Sequence, residues 1–178
     1  MSILKFRVLC DTVNEIEVFR DITIDENDTL ESLYLEVLQS FTFENDQMAS
    51  FFISDEDWNK GEEVTLMDMN PEEDSDGAKV MKDTLIKDIV DSPRQRLILV
   101  YDFLNMWIFL LELLERKNGK LNKPETTLAV GNIPEDLKKE KTNDISFDTE
   151  QLDDDYGFDD YSDDFDEEDF ENIDDLDI

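Results

Sequence analysis

The sequence predicts an α+β fold in which two helices cover a single mixed or antiparallel sheet. Three observations support this class. Short segments rich in β-branched and alternating apolar residues come in adjacent pairs, as they do in hairpins. One segment repeats apolar residues at helical spacing, and two strongly apolar segments follow each other after the middle of the chain. The predicted order of elements is β-β-α-β-β-α-β-β, followed by a disordered acidic C-terminal tail.

The first pair of strands is predicted at residues 3–9 and 15–23, where apolar and polar residues alternate. Residues 11–14 lie between them and are typical of a turn, so the pair is predicted to form a hairpin. The helix that follows is the clearest in the chain. Asp28 is its predicted N-cap, with Glu31 as the reciprocal capping partner. Its apolar face is predicted to consist of Leu30, Leu33, Tyr34, Val37, Leu38 and Phe41.

Two further strands are predicted at residues 48–54 and 63–69, on either side of a polar turn. An acidic loop follows at residues 70–77. A short helix is predicted at residues 84–90. It ends before Pro93 because the residue that precedes a proline avoids helical backbone angles.

The strongest apolar segments are residues 96–102 and 106–115. We interpret them as the two strands of one hairpin, buried on both faces. A helix over residues 103–117 is the alternative, because Leu, Met and Glu favour helices and the period of so short a run does not distinguish the two. A weaker strand signal at residues 127–130 is not counted in the predicted order.

Four stretches carry a resemblance to a known family, and they are residues 30–38, 46–51, 101–109 and 131–136. Together they resemble the plasmid pRiA4b ORF-3-like family, a bacterial group also described as passenger proteins of an insertion element, over about residues 3–136. The most specific piece is Tyr101, Asp102 and Phe103 followed by Trp107, since the family pattern is Tyr-Asp-Phe-Gly-Asp, one residue, Trp, one residue, His. The resemblance implies an α+β fold with this motif on a strand and turn, and no established activity. It therefore supports the hairpin over the helix.

The chain departs from the family pattern where the family carries histidine. The motif has Leu104, Asn105 and Phe109 in place of Gly, Asp and His. At the other positions where the family often has histidine, the chain has Tyr34, Met48 and Ser50. Cysteines that some members carry near the Pro-Glu-Asp stretch do not occur here. Because the chain contains no histidine, we assign no metal-binding or proton-transfer role to these positions.

The net charge of −33 disfavours nonspecific binding to nucleic acid and to anionic membranes, since both depend on Lys and Arg. A single cysteine, Cys10, cannot form an internal disulfide, and the N-terminal residues lack the apolar core of a signal peptide. No apolar run approaches the ~20 residues that cross a bilayer. These features favour a reducing cytoplasm.

The residues offer little for catalysis. Histidine-dependent dyads and triads are excluded, and we interpret Cys10 as a small buried residue of a strand. Asp102 and Glu112 are the acids nearest the apolar hairpin, and opposite strands could bring them together as an acid and base pair. The ordinary interpretation is a hairpin-end Asp that binds backbone amides and an outward Glu. We predict no catalytic residue and no cofactor.

Metal binding is also not predicted. Zinc sites need His or clustered Cys. Asp55, Asp57 and Asn59 match the start of an EF-hand loop, but Lys60 occupies the glycine position and Leu66 that of the bidentate glutamate, so a solvated turn is favoured. Core packing is the favoured role of Trp107, and Trp58 stands out because it lies in a polar turn.

The charge pattern predicts three regions, a folded α+β domain at residues 1–136, a Lys-rich junction at 137–141 and a disordered acidic tail at 142–178. We call residues 142–178 the acidic segment. It contains 18 Asp or Glu residues and no Lys, Arg or His. Such a run repels itself and carries little apolar area. On a helical wheel, one side would collect Phe158, Tyr161, Phe165, Ile173 and Leu176, with Phe170 at its edge.

The leading functional hypothesis is therefore a non-enzymatic interaction protein whose acidic segment binds a basic protein partner through these aromatic and apolar residues. DNA mimicry is a variant, because helical placement would space the charges about 3 Å apart, comparable to the phosphates of one DNA strand. The alternatives are a purely solubilising segment, a carboxylate- or metal-dependent enzyme, and autoinhibition through Arg94, Arg96 or the junction. The sequence does not predict the oligomeric state.

Overall fold

The computed structural model describes residues 1–11, 17–68 and 79–138. In these ranges the strands form one antiparallel sheet in the order β4-β3-β5-β6-β1-β2-β7. The elements are β1 Ser2–Cys10, β2 Phe19–Asp25, α1 Leu30–Ser40, β3 Ala49–Ser54, β4 Lys60–Thr65, a 3-10 turn Met81–Asp83, α2 Ile86–Ile89, β5 Arg96–Tyr101, β6 Trp107–Asn118 and β7 Glu125–Val130. The α+β class with a single sheet is thus confirmed, and the predicted acidic loop and acidic segment lie outside the described residues.

One face of the sheet carries the core. Side chains alternate between faces along a strand, and in β1 Leu4, Phe6 and Val8 are fully buried on the face that α1 covers. The opposite face carries Arg7 and Leu9, which are both exposed. The described helices all contribute to the core on the covered face. We call the other side of the sheet the open face.

Helix α1 buries the apolar stripe predicted for it, because Leu30, Leu33, Tyr34, Val37 and Leu38 are at most 1% exposed. The predicted capping was wrong. Thr29 is the N-cap, and its hydroxyl accepts a hydrogen bond from the amide of Ser32. Asp28 instead accepts from the amide of Thr29, so the helix begins one residue later than a cap at Asp28 requires.

Strand β4 occupies Lys60–Thr65 rather than the predicted residues 63–69. The turn after β3 is tighter than expected, since Ser54 already pairs with Lys60. Gly61 permits this close return, because a β-carbon there would lie 2.6 Å from the carbonyl oxygen of Ile53. The apolar residues that suggested the later strand, among them Leu66, follow the end of β4.

The predicted hairpin of the two apolar segments is confirmed as β5 and β6, and the alternative helix is wrong. Burial on both faces holds for β5, where even the outward Ile98 and Val100 are 4% and 2% exposed. In β6 it does not hold, because the residues on the open face, Ile108, Leu110 and Glu112, are only half-buried. The described residues place no helix over that side of β6.

The predicted order of elements lacks β7, which pairs with β2 at one edge of the sheet. Its side chains are exposed or half-buried, so the hydrophobic pattern that identifies buried strands is weak there. Main-chain pairing with β2 holds β7 in place, with a register shift between Asp21 and Ile22. The predicted second helix is a single turn, α2, that follows the 3-10 turn.

Candidate functional site

The family motif lies at the end of the sheet where β5 turns into β6. Tyr101 is the last residue of β5 and pairs with Trp107, the first residue of β6. Asp102 follows in the left-handed backbone region, with φ of 59°, and its carboxylate accepts hydrogen bonds from the amides of Leu104 and Asn105. The motif therefore builds a tight turn, and the predicted role of a hairpin-end Asp is confirmed.

Tyr101 also fixes the loop that joins α1 to β3. Its ring is buried, and its hydroxyl donates to the carbonyl of Glu44 and to Oδ1 of Asp46, which lies 3.0 Å away. From α1, the hydroxyl of Tyr34 donates to Oδ1 of Asn45 at 2.9 Å. Two tyrosines from different elements thus hold neighbouring residues of one loop.

An aromatic cluster lies beneath the same loop. The ring of Phe43 packs edge-on against Trp107, Tyr101 and Phe109, with ring centroids 4.9, 5.6 and 5.8 Å away. Above it, Nζ of Lys138 lies 4.6 Å from the centre of the Phe43 ring and donates to the carbonyl and hydroxyl of Thr42. Lys138, which the sequence places in the junction, therefore contacts the folded part of the chain.

Burial shifts the proton equilibria of both tyrosines upward. Desolvation, with the nearby charges of Asp46 and Glu31, raises the pKa of Tyr34 to about 12. Desolvation also raises the pKa of Tyr101, and its hydrogen bond to Asp46 acts in the same direction. Both phenols stay protonated at physiological pH, so they donate hydrogen bonds and do not act as bases.

A groove is lined by residues of α1 and of the loop that joins α1 to β3, and we call it the helix groove. It has a volume of about 460 Å³. Leu35 and Met67 line it and are 39% and 52% exposed, so the groove presents two apolar side chains to solvent. The remaining lining residues are Glu31, Tyr34, Asn45, Asp46, Gln47, Met48 and Leu66. The helix groove is therefore both apolar and acidic.

The turn between β5 and β6 presents a second apolar surface at the same end, and we call Phe103, Leu104 and Met106 the hairpin tip. These side chains are 46%, 72% and 42% exposed. The amide of Asp102 donates to the carbonyl of Met48 at 2.8 Å, which places the base of the turn next to a residue of the helix groove. We refer to the groove and the tip together as the motif end.

The structure separates the two carboxylates that could have formed an acid and base pair. Glu112 pairs with Arg96, five residues along the hairpin from the pair of Tyr101 and Trp107. At about 3.4 Å per residue this is roughly 17 Å. The carboxylate of Glu112 faces Nη2 of Arg96 at 3.9 Å, and that of Asp102 is engaged by its own turn. The pair therefore has no geometry for joint catalysis.

The turn that resembles the start of an EF-hand loop is held together by its own first residue. Oδ1 of Asp55 accepts from the amides of Asp57 and Asn59, and Oδ2 accepts from the side-chain amide of Asn59. These bonds lower the pKa of Asp55. Among the described residues, no group of three or more carboxylate, thiol or imidazole side chains is arranged to hold a metal ion.

Trp58, which stood out in the sequence, has φ of 62° and lies against the guanidinium of Arg96, 4.8 Å from the ring centre. Together with Phe19 and Leu110 it lines a groove of about 350 Å³ on the open face. Arg7, Glu17 and Glu112 also line this groove, so its charges are mixed. Cys10 is buried in β1, as predicted.

The structure gathers some of the positions where the family carries histidine and disperses others. Tyr34 and Met48 both line the helix groove, whereas Phe109 is fully buried and the hydroxyl of Ser50 donates to Glu63. Sequence reasoning missed Leu35 and Met67 as site residues. Leu35 is an apolar residue of α1 that lies outside the buried stripe, and Met67 is an apolar residue that follows the end of β4. The position of Met67 after β4 can be recognised only when the bounds of that strand are known.

The partner-binding residues predicted in the acidic segment, Phe158, Tyr161, Phe165, Phe170 and Ile173, lie outside the described residues. In the part of the chain that the structure does describe, no helix is both long and apolar enough to span a membrane.

Comparisons with known proteins agree with the fold. The sequence model of the plasmid pRiA4b ORF-3-like protein family matches residues 2–173, a longer span than the resemblance noted above. A crystal structure of a protein of unknown function from Methanosarcina mazei Go1 superposes with a TM-score of 0.60, at 17% identity, over 78% of each chain. That likeness shows the fold alone. No curated protein matches the chain.

Proposed function

The chain belongs to the plasmid pRiA4b ORF-3-like family, whose name specifies no chemistry, and we propose that it is a non-enzymatic interaction protein that binds a basic protein partner. One observation carries the proposal, namely the run of 18 carboxylates without a single base at residues 142–178, interspersed with aromatic residues. A polyanion of this kind attracts cationic surfaces and accelerates encounter with them. The cytoplasm is the compartment that fits this proposal best.

The composition of the folded part of the chain also favours a positively charged partner. Residues 17–68 contain 15 acids and two bases, Arg20 and Lys60. Arg20 is only 4% exposed and donates to the carbonyls of Ser40 and Val130, so it adds little to the surface. This part of the sequence therefore adds an excess of acidic side chains to the folded part of the chain, with the same sign of charge as the acidic segment.

An enzyme that uses Asp102 and Glu112 is not favoured by the geometry. The first carboxylate stabilises a turn and the second faces Arg96. Along the hairpin, the Arg96–Glu112 pair lies roughly 17 Å from the Tyr101–Trp107 pair that precedes the turn. Acid and base groups of a common reaction must both reach the reacting atoms within hydrogen-bond distance. The observed contacts support structural roles for both residues.

In the proposed mode of binding, the aromatic residues of the acidic segment supply the desolvated contacts. Phe158, Tyr161 and Phe165 would insert into apolar pockets of the partner while the surrounding carboxylates meet its Lys and Arg residues. A nucleic-acid-binding protein is the partner class that matches the charge spacing best, since its surface is built for regularly spaced phosphates. Competition by duplex DNA would then release the complex.

The experiment is affinity capture from host extract with the full chain, at low and at high ionic strength. We expect a basic protein to be retained at low ionic strength and released at high ionic strength. Combined substitution of Phe158→Ser, Tyr161→Ser and Phe165→Ser should reduce capture by about tenfold, which corresponds to about 1.4 kcal/mol. Tyr156→Ser is a single-ring control, because that ring would lie on the opposite side of a helical wheel. Each of the three substitutions made alone is compared with it.

Capture that is equal for the wild-type and the triply substituted chain would reject a role for these aromatic residues. Retention of the same proteins at high ionic strength would reject recognition by charge.

A further inference from the structure

We propose that the motif end, which comprises the helix groove and the hairpin tip, is a docking surface for a cationic amphipathic segment of the partner protein. Such a segment contains Lys or Arg residues together with apolar residues. The inference rests on the proposed function, because it names the place on the folded part of the chain where a basic partner is recognised.

The apolar character of the surface is the first argument. On α1, the residues of the buried stripe are at most 1% exposed, yet Leu35 on the same helix is 39% exposed and borders the helix groove. Met67, which also lines the helix groove, is 52% exposed, and Leu104 on the hairpin tip is 72% exposed. Apolar residues concentrated in this way mark a surface that gains free energy when a partner covers it.

The charge of the surface is the second argument. Glu31 and Asp46 are the two residues with carboxylates that line the helix groove, and no Lys or Arg of the described ranges lines it. The hydroxyl of Tyr101 holds Asp46 at 3.0 Å, so this charge has a fixed position. An occupant without positive charge would desolvate both carboxylates without supplying an opposite charge. The complementary occupant is therefore cationic.

The shape of the surface is the third argument. A volume of about 460 Å³ accommodates several side chains at once. The loop that forms the floor is fixed by Tyr34, Tyr101 and Lys138, so little order is lost on binding. Met48 and Met67 line the groove with flexible thioethers, which adapt to differently shaped apolar side chains. A rigid floor with adaptable walls fits a peptide segment better than a small ion.

The test measures the affinity of the full chain for a synthetic peptide in which Lys and Leu alternate. Two further probes are the same peptide with Ser in place of Leu, and spermidine. We expect the Lys-Leu peptide to bind at least about tenfold more tightly than either. The expected cause is that only this probe combines positive charge with apolar contacts.

A groove variant combines Glu31→Gln, Leu35→Ser and Met67→Ser, which removes one charge and two exposed apolar side chains. The matched control combines Asp88→Asn, Leu114→Ser and Leu128→Ser, which removes the same numbers elsewhere, since Leu114 and Leu128 are 43% and 44% exposed. We expect the groove variant to lose about tenfold in affinity for the Lys-Leu peptide and the control to stay within about twofold. Circular dichroism verifies that both variants are folded.

The outcomes separate this inference from the proposed function. Equal peptide affinity of the groove variant and the control would overturn the docking surface. If capture of the basic partner still depended on Phe158, Tyr161 and Phe165, the proposed function would stand without it. Equal affinity for all three probes would show that the surface recognises charge alone, and this would overturn the proposal that its occupant is amphipathic. Peptide binding that requires the groove, combined with a failure to capture any basic protein, would overturn the proposed function instead.

Discussion

The turn before β6 and the turn after it differ in their side-chain chemistry. The turn before it carries the exposed Phe103, Leu104 and Met106, next to a groove lined by carboxylates. The turn after it, residues 119–124, carries the exposed Lys120 and Lys123, and we call it the lysine turn. One strand therefore connects a turn with exposed apolar side chains to a turn that carries two exposed lysines.

The two turns also differ in what holds them. The carboxylate of Asp102 and the buried rings of Tyr101 and Trp107 fix the motif end. At the lysine turn, a carboxylate of β2, Asp25, accepts a hydrogen bond from the amide of Leu121. Buried aromatic rings therefore help to fix the motif end, whereas the lysine turn is held by the hydrogen bond from the amide of Leu121 to Asp25. We therefore expect the motif end, rather than the lysine turn, to be preorganised for contact with apolar side chains of a partner.

The largest expected effect comes from removal of Trp107. This ring is 3% exposed and packs against Phe43, so Trp107→Ala should lower the free energy of unfolding by about 3–5 kcal/mol. Urea denaturation measures the change. Leu128→Ala, at an exposed position of β7, should stay within about 0.5 kcal/mol of wild type. Similar losses for the two variants would contradict the assignment of Trp107 to the core of the motif end.

Alkaline pH should act next, and on the motif end. Because burial raises the pKa of Tyr34 to about 12, the folded chain keeps this proton at pH values where the unfolded chain, with an ordinary tyrosine pKa near 10, releases it. The stabilisation is full below pH 10 and should fall by about 1.4 kcal/mol per pH unit until the folded pKa is reached. Tyr34→Phe should reduce this slope, which denaturation at several pH values measures. An unchanged slope would contradict the burial of a protonated phenol.

Removal of the carboxylate that shapes the hairpin tip should have a smaller effect. Asp102→Ala takes away the acceptor for the amides of Leu104 and Asn105 and leaves a residue with φ of 59° that alanine disfavours. We expect a loss on the order of 2 kcal/mol in the free energy of unfolding. Lys120→Ala in the lysine turn is the control and should be near neutral. A larger loss at Lys120 would reverse the contrast between the two turns.

Acidic pH should act on the lysine turn, with the smallest effect. Backbone hydrogen bonds from Asn27 and Leu121 lower the pKa of Asp25. Its stabilisation is therefore present above the ordinary aspartate pKa of about 3.9 and is lost as pH falls through the lower folded pKa. The difference in stability between wild type and Asp25→Asn should shrink over that range. A difference that grows on acidification would contradict the lowered pKa.

The sequence predicted the β5–β6 hairpin and the buried stripe of α1, because both rest on runs of apolar residues whose pattern is local. It did not count β7, where edge pairing with β2 rather than burial holds the strand. It placed β4 too late, because Gly61 shortens the turn in a way that only the approach to Ile53 reveals. The local pattern of apolar residues therefore predicted the buried elements. It did not predict strand bounds and edge pairing that depend on main-chain geometry.

For the candidate site, the resemblance identified the motif residues Tyr101, Asp102 and Trp107. The sequence also predicted a turn role for Asp102 and core packing for Trp107, but it did not predict the role of Tyr101. The bond from Tyr101 to Asp46 joins residues 55 positions apart, and no local pattern predicts such a contact. The same is true of Leu35 and Met67, which become neighbours only across the helix groove. Contacts between residues that are far apart in the sequence therefore form this surface, and the sequence alone does not reveal them.

The methionine methyl groups give the most direct test of the central claim, that a cationic partner is recognised at the motif end. Met48, Met67 and Met106 report on the motif end, and Met1 lines a cleft with Lys120 beside the lysine turn. On addition of the Lys-Leu peptide to the full chain labelled at its methionine methyls, the NMR signals of the first three should shift and that of Met1 should not. Shifts confined to Met1, or an absence of shifts at the motif end when the peptide is bound, would contradict the account.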